Sequence, residues 1–238
     1  MSGANGRGGR TLALVSQQKD IAFYLREAEQ RAGPVLVLGA GMGRIAWELA
    51  LHGKRTVAVE PSEVMLAAAK ERRRTEPFQA SDQLKLLPED PRSLRLPERF
   101  PLVIAPQNAI ALSATLDDVD AMLATVRHHL EPGGAFVFDA LNPHPDGAGG
   151  SEPEEGWSPL EGIEPPRPVF APHLRERIRG PNGTSEGIRR LRLRHFTVAE
   201  LNQALEEADF VATERFGDFD RHPFEPTAPL QIVIAHRA

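Results

Sequence analysis

The chain has 238 residues, of which 41% are hydrophobic and 26% charged, as in an ordinary globular protein of one large domain; this excludes a fibre or a disordered chain. A net charge of -5 argues against a protein that binds nucleic acid mainly by neutralising phosphates, and no apolar run approaches the roughly 20 residues of a membrane helix. Because the sequence contains no cysteine, it excludes disulfides and Cys-ligated metals, and it predicts a cytoplasmic location and no metal site.

The first elements alternate between helix and strand. Residues 1–15 predict a disordered tail, and apolar positions at helical spacing predict a helix over 18–31 that ends at Gly33-Pro34. The continuous apolar runs 35–38 and 56–59 are typical of strands buried on both faces of a parallel sheet, and a helical stretch follows each of them.

The same alternation continues in the middle of the chain. Strands are predicted over 84–87, 102–105 and 135–139, with a helix over 116–130 between the last two. Strands and helices that alternate in this way predict one α/β domain over residues 16–238, a doubly wound sheet with helices on both faces.

Residues of about 143–190 differ in composition from the rest. They are rich in Pro, Gly, Glu and Arg and poor in apolar residues, which predicts a loop or cap inserted at one sheet edge. Regular structure is expected to resume at Thr197, where Thr197 and Glu200 have the spacing of a helix capping box. Two final strands are predicted over 211–216 and 230–235.

A glycine loop joins the first predicted strand to its helix. Gly39-Ala40-Gly41-Met42-Gly43 allows a nucleotide-like ligand to approach the backbone, and Glu60, at the end of the next strand, can accept both hydroxyls of a ribose. Together these features predict an adenosine cofactor. The dinucleotide fingerprint G-x-G-x-x-G/A fails from Gly39, since Arg44 occupies its sixth position, but it fits when shifted to begin at Gly41. The loop alone therefore does not choose between adenosine cofactors.

Six stretches of the chain decide between them, because they stand in the order and at the spacing of one family's motifs. They are VLVLGAGMGRIAWELA, VAVEPSEVMLAAA, LPEDPRSL, RFPLVIAPQNAIAL, LEPGGAFVFDALNP and HFTVAELNQALEEADF. The chain thus resembles the small-molecule branch of the class I S-adenosylmethionine-dependent methyltransferases, over nearly all of residues 35–238 except the insertion. The resemblance implies a Rossmann-like, seven-stranded mixed sheet with its last strand antiparallel, and S-adenosylmethionine as cofactor. It also implies methyl transfer to nitrogen or oxygen of a small-molecule acceptor.

The resemblance also implies roles for individual residues. The glycine loop would hold the methionine part of the cofactor, Glu60 with the adjacent Pro61 the ribose, and Asp90 the adenine amino group. The helix near the start would lie over the cofactor, and the segment after the fourth strand would form the floor between cofactor and acceptor. The residues implied are Gly39, Ala40, Gly41 and Gly43 in the loop, Asp20, Ile21 and Tyr24 in the helix, and Pro106, Gln107 and Asn108 in the floor.

Methyl transfer is an in-line displacement that depends mainly on holding the nucleophile close to the methyl carbon, and a dry pocket helps it. The insertion is therefore expected to cover the acceptor. Asn108 in the floor and His144 just after the fifth strand are the candidate catalytic residues; His144 would act as a base, although an exposed loop histidine fits the same position. The arginines of 175–194 can bind an anionic acceptor or can simply be solvated.

Other functions fit parts of the sequence. The shifted fingerprint favours an NAD(P)-dependent oxidoreductase, which everything after Glu60 opposes. An aminopropyl transferase of similar fold would need a pair of acids where this chain has Ala105-Pro-Gln-Asn108. A non-catalytic protein of the same fold, binding a cofactor or a partner, is favoured by Pro101 in place of a common acid and opposed by Glu60 and Asp90.

Overall fold

The computed structural model describes residues 8–113, 115–142, 169–170, 173–180, 183–190 and 193–238, and the side chains within 18–113, 115–142 and 193–238. Its first element, helix α1 (Gly8–Glu29), starts ahead of the helix predicted from residue 18. The predicted tail therefore overlaps this helix over residues 8–15, and its first seven residues lie outside the described part of the chain.

Helices and strands then alternate along the chain as the apolar pattern predicts. The other helices are α2 (Arg44–Leu51), α3 (Glu63–Arg72), α4 (Phe78–Gln83), α5 (Leu116–His129) and α6 (Val198–Glu207), with a 3-10 turn at Ala109–Leu112. The strands are β1 (Val35–Leu38), β2 (Thr56–Val59), β3 (Leu84–Leu87), β4 (Phe100–Ala105), β5 (Leu130–Leu141), β6 (Val169–Phe170), β7 (His173–Gly180), β8 (Gly183–Arg190), β9 (Leu193–Arg194), β10 (Phe210–Phe216) and β11 (Leu230–Arg237).

Seven of these strands form one sheet in the order β10-β11-β5-β4-β1-β2-β3. Strands β1 to β5 pair in parallel, whereas β11 is antiparallel to both of its neighbours, β5 and β10. This confirms the seven-stranded mixed sheet with its last strand antiparallel. Because parallel strands run in one direction, the carboxyl ends of β1 to β5 lie along one edge of the sheet.

The core consists of two apolar layers, one on each face of the sheet. Along β1 the side chains alternate, with Leu36 and Leu38 in one layer and Val35 and Val37 in the other. The first layer contains residues of α5 and α6, and the second contains residues of α1 and α2. Helices thus cover both faces, as a doubly wound sheet requires.

The insertion contains more regular structure than the sequence predicts. Strands β7 and β8 pair antiparallel, with residue 173 opposite 190 and 180 opposite 183, and β6 pairs with β9. The expectation that regular structure resumes only at Thr197 was therefore wrong. It failed because the period-two pattern of β7 alternates arginine with other residues and contains no apolar run. The capping box itself is confirmed, because Thr197 and Glu200 each accept the other's backbone N–H.

A buried carboxylate joins the two ends of the described chain. Glu27 of α1 is fully buried and pairs with Arg31 one turn later, at 3.0 Å between Nη1 and Oε2. It also pairs with Arg221 from the turn between β10 and β11. The Arg221 guanidinium lies over the rings of Phe23 and Phe216, at 5.3 and 5.0 Å from their centroids. Charge pairing and ring contacts together fix α1 against the last hairpin.

Replacing Glu27 by Gln tests this anchor. The variant removes the countercharge of Arg31 and leaves Arg221 only the half-exposed Glu214 at 3.5 Å, so the free energy of unfolding should fall by about 3 kcal/mol. Urea unfolding followed by circular dichroism measures the loss. The control is Glu71→Gln, which removes an exposed partner of Arg74 and should change the free energy by less than about 0.5 kcal/mol. Equal losses in the two variants would mean that Glu27 does not anchor α1.

Candidate functional site

The glycine loop after β1 has three glycines in the left-handed region, and each has a different surrounding. The φ angles of Gly39, Gly41 and Gly43 are 71°, 56° and 80°. A Cβ atom at Gly39 would lie 2.9 Å from Cβ of Ala109, and one at Gly43 would lie 3.0 Å from the Trp47 ring. A Cβ at Gly41 would meet nothing within 4 Å. Two of the glycines are thus required by packing, and Gly41 faces an open cradle.

Glu60 follows β2 and faces this loop. Its side chain is buried, with Oε2 accepting the Gly41 N–H and Oε1 accepting the Ser62 N–H, both at 2.8 Å. The two bonds fix the plane of the carboxylate beside the cradle. Because a carboxylate oxygen can accept more than one hydrogen bond, each oxygen has capacity for a ribose hydroxyl. The residues present therefore fit an adenosine group at this position.

The neighbouring residues named from the sequence lie at the same edge. The Ala40 N–H donates to the Val59 carbonyl at 2.9 Å, which lays the glycine loop against β2. Pro61 is exposed and leads into α3, whose first turn is capped by Ser62, and Pro106 is buried directly after β4. The structure thus brings the loop, the ribose candidate and the predicted floor to three adjacent strand ends.

Asp90 lies three residues beyond β3, the strand next to β2 at the end of the sheet. Its Oδ1 accepts a hydrogen bond from Nε of Arg92 at 3.0 Å, and Nη1 of Arg92 donates to Oδ1 of Asp118 at 2.6 Å. The guanidinium holds the pKa of Asp90 below its ordinary value. An ionised acid therefore stands at the position expected for adenine recognition, and that role stays a prediction.

The floor segment after β4 has an unusual backbone. Gln107 and Asn108 have φ angles of 60° and 57°, a left-handed conformation that costs energy for any residue with a Cβ. The Asn108 Oδ1 accepts the Leu141 N–H at 3.1 Å, so this side chain ties the floor to the end of β5. An amide is not a proton acceptor at ordinary pH, so Asn108 is suited to positioning. The other catalytic candidate, His144, lies outside the described residues.

Sequence reasoning missed Asp139, the buried acid near the end of β5. Its Oδ1 accepts the Tyr24 hydroxyl at 2.5 Å and the Gln107 N–H at 2.8 Å, and its Oδ2 accepts the Asn108 N–H at 2.7 Å. Burial raises the pKa of this carboxyl, and the three donors oppose the rise. The Tyr24 pKa is well above its usual value because the phenol is buried beside this carboxyl. In the sequence, Asp139 is only the last polar residue of an apolar strand.

A second contact joins α1 to the same floor. Arg44, the first residue of α2, donates to both carboxylate oxygens of Asp20, with Nη1 at 2.8 Å from Oδ1. When the Gln107 amide is oriented with its oxygen toward Arg44, Nη2 also donates to that oxygen at 2.9 Å. Asp20 and Tyr24, both named from the sequence as part of a covering helix, thus connect α1 with the floor.

Comparison with known proteins agrees with this geometry. Residues 36–136 match a family described as "Methyltransferase domain". The CcbJ methyltransferase from Streptomyces caelestis is similar in structure, with a TM-score of 0.72 and 26% identity over 93% of this chain and 90% of that one. Residues 36–136 thus form a methyltransferase domain, within the fold of the class I S-adenosylmethionine-dependent methyltransferases that the sequence resembles. The cofactor expected from the sequence, S-adenosylmethionine, agrees with these comparisons, and the nicotinamide alternative is not supported.

Two further methyltransferases are similar to this chain. A glycopeptide N-methyltransferase, MtfA, complexed with S-adenosylmethionine, has a TM-score of 0.65 and 25% identity, covering 94% of each chain. A cypemycin N-terminal methyltransferase from a Streptomyces species is 31% identical over 109 residues. That match covers 46% of this chain and 42% of the relative, so the chain spans less than half of the curated relative's length.

Glu60→Gln tests the ribose position. The amide has only one acceptor oxygen, so it cannot accept from Gly41, Ser62 and two ribose hydroxyls together. Affinity for S-adenosylhomocysteine, measured by calorimetry, should fall roughly 10- to 100-fold. Glu63→Gln, the same change three residues away in the first turn of α3, is the control and should bind as the wild type does. Unchanged affinity in folded Glu60→Gln protein would remove Glu60 from the ribose site.

Gly41→Ala tests the cradle, and Gly53→Ala is its matched control. Both glycines have positive φ angles, 56° and 76°, and at both a new Cβ would meet nothing within 4 Å. Each variant should therefore lose about 1–2 kcal/mol of stability through backbone strain. Only Gly41→Ala should weaken S-adenosylhomocysteine binding, because its methyl group would enter the space that we assign to the cofactor. Equal affinity in both variants would place the cofactor elsewhere.

Proposed function

We propose that this methyltransferase transfers a methyl group to an amine nitrogen of a small-molecule acceptor. The observation that carries the proposal is the Glu60 carboxylate, fixed by two backbone N–H groups beside the open cradle at Gly41. This arrangement fits the adenosine part of S-adenosylmethionine. The names of two relatives, an N-terminal methyltransferase and a glycopeptide N-methyltransferase, support nitrogen over oxygen as the acceptor.

The residues of the site have distinct roles in this proposal. Glu60 would hold the ribose, the loop around Gly41 the methionine part, and Asp90 the adenine. The cofactor supplies an electrophilic methyl group bound to a sulfonium sulfur. The floor of Pro106, Gln107 and Asn108 would hold the acceptor nitrogen in line with that group, so that catalysis rests on positioning.

The acceptor must bind as a neutral amine, because an ammonium group has no lone pair with which to attack. The site carboxylates with described side chains, Asp20, Glu60, Asp90 and Asp139, already accept hydrogen bonds from protein donors. This favours an acceptor that loses its proton to water before it reacts. His144 stays the alternative base, and the experiment below tests it.

The insertion over residues 143–190 would cover the acceptor as a cap. It leaves the sheet after β5, at the edge where ligands of open α/β sheets bind. Arginines recur at 175, 177 and 179 along β7, which supports an acceptor that carries a carboxylate or phosphate. Among the described residues, no helix has the length and apolar character to cross a membrane. A cytoplasmic location stays a proposal that rests on the cysteine-free sequence.

The first experiment compares binding of S-adenosylhomocysteine and NADH by calorimetry. We expect micromolar affinity for the first and none for the second. A panel of amines, with and without an anionic group, is then incubated with S-adenosylmethionine labelled in its methyl group. Transfer of label to an amine supports the proposal. Transfer only to hydroxyl acceptors contradicts it, and binding without any transfer favours a non-catalytic member of the family.

The variant His144→Gln separates the two routes of proton loss. If the acceptor binds as a neutral amine, turnover in the variant should stay within about threefold of the wild type and should rise with pH toward the amine pKa. A loss of about 100-fold or more, with S-adenosylhomocysteine affinity unchanged, would instead identify His144 as the base.

A further inference from the structure

The Asp139 carboxylate is a buried acid whose contacts all lead to the site. It is 4% exposed and accepts from three donors, the Tyr24 hydroxyl and the N–H groups of Gln107 and Asn108. Tyr24 belongs to α1, and the two amides belong to the floor after β4. One side chain of β5 therefore contacts both the helix α1 and the floor directly.

The floor needs this restraint because its backbone is strained. Gln107 and Asn108 adopt consecutive positive φ angles, which residues with a Cβ rarely do and which persist only where surrounding contacts impose them. The contacts made by the backbone of these two residues include the N–H groups that donate to Asp139, at 2.8 and 2.7 Å. Without the carboxylate, both amides would lose their acceptor, and the floor would lose a restraint on its strained conformation.

Tyr24 makes this restraint depend on the position of α1. Its ring is fully buried and meets Phe23 and Phe219 at centroid distances of 5.6 and 6.3 Å, so the hydroxyl has little freedom to leave Asp139. The ring packs in the same apolar layer as α2 and β1. When α1 is docked, the phenol supplies the third hydrogen bond to the acid, and when α1 is displaced, the acid loses it.

We propose that Asp139 is a positioning residue that holds the floor of residues 106–108 in its strained conformation, and that Tyr24 makes this hold depend on the docking of α1. The catalytic consequence rests on the proposed function, because it assumes that the floor places the acceptor. The restraint itself does not, since it is a property of the protein alone. The two parts can therefore be tested separately.

Asp139→Asn tests the restraint with an isosteric side chain. The amide has one acceptor oxygen and an NH₂ group, so it must point a donor at one of its three former donors. We expect amide hydrogen exchange in a peptide containing residues 106–108 to accelerate at least roughly 10-fold, because at least one of the N–H groups of Gln107 and Asn108 loses its acceptor. Leu205→Ala is the control for lost stability. It removes buried contacts of α6 in the apolar layer opposite the one that contains Tyr24, and it should leave exchange in this peptide unchanged.

The single tyrosine of the chain gives a second measurement. Asp20, Arg44 and Asp139 are the charged groups that act on the Tyr24 phenol, and Asp139 and burial both raise its pKa. In Asp139→Asn the negative charge is gone, so phenolate absorbance should appear at lower pH than in the wild type. Tyr24→Phe should abolish that absorbance and should accelerate exchange in the 106–108 peptide less than Asp139→Asn does.

Turnover tests the catalytic consequence once the amine panel has yielded an acceptor. Asp139→Asn should lower kcat at least roughly 10-fold while S-adenosylhomocysteine affinity changes less than about threefold, since the cofactor contacts are intact. Unchanged exchange in Asp139→Asn would overturn the restraint. Equal losses of kcat and cofactor affinity would overturn the positioning role. If no amine is methylated, the proposed function fails, but exchange and absorbance still decide the restraint.

Discussion

Five parallel strands end at one edge of the sheet, and every part of the candidate site depends on that alignment. The glycine loop follows β1, Glu60 follows β2, Asp90 lies beyond β3, the floor follows β4, and Asp139 stands near the end of β5. Strands that neighbour each other in the sheet bring into contact residues that are 19 to 33 positions apart in sequence. The antiparallel β11 begins at this edge beside the end of β5, and it connects to the turn that holds α1.

Three of the buried carboxylates, Glu27, Glu60 and Asp139, are compensated in three different ways. Glu27 has two guanidinium groups, Glu60 has two backbone N–H groups, and Asp139 has two N–H groups and a phenol. The two arginines at Glu27 balance its negative charge, which suits a residue that fixes one element against another. The backbone donors at Glu60 leave both oxygens able to accept further hydrogen bonds, which suits a ligand-binding group.

Much of this arrangement could be predicted from the sequence, because the signals that carry it are local. The apolar runs of β1 and β2, the glycine loop and the capping box of α6 each fix a structure within a few residues. Strand β7 was missed because arginine, not an apolar residue, occupies alternate positions in it, and β8 was missed because it contains a single apolar residue, Ile188. Asp139 was missed because its role depends on Tyr24 and Asn108, and nothing in the residues around it indicates which distant donors the fold will bring to it.

The pair of Glu27 with Arg221 joins residues 194 positions apart. During synthesis α1 emerges long before the last hairpin, so its buried acid has only the Arg31 guanidinium as a partner until that hairpin has left the ribosome. The apolar layer under α1 can begin to form early, but the helix that carries Asp20 and Tyr24 receives its final anchor at the end. A chain truncated before the last hairpin would therefore have the strands that carry the glycine loop and Glu60, but its helix α1 would lack the contact that fixes it.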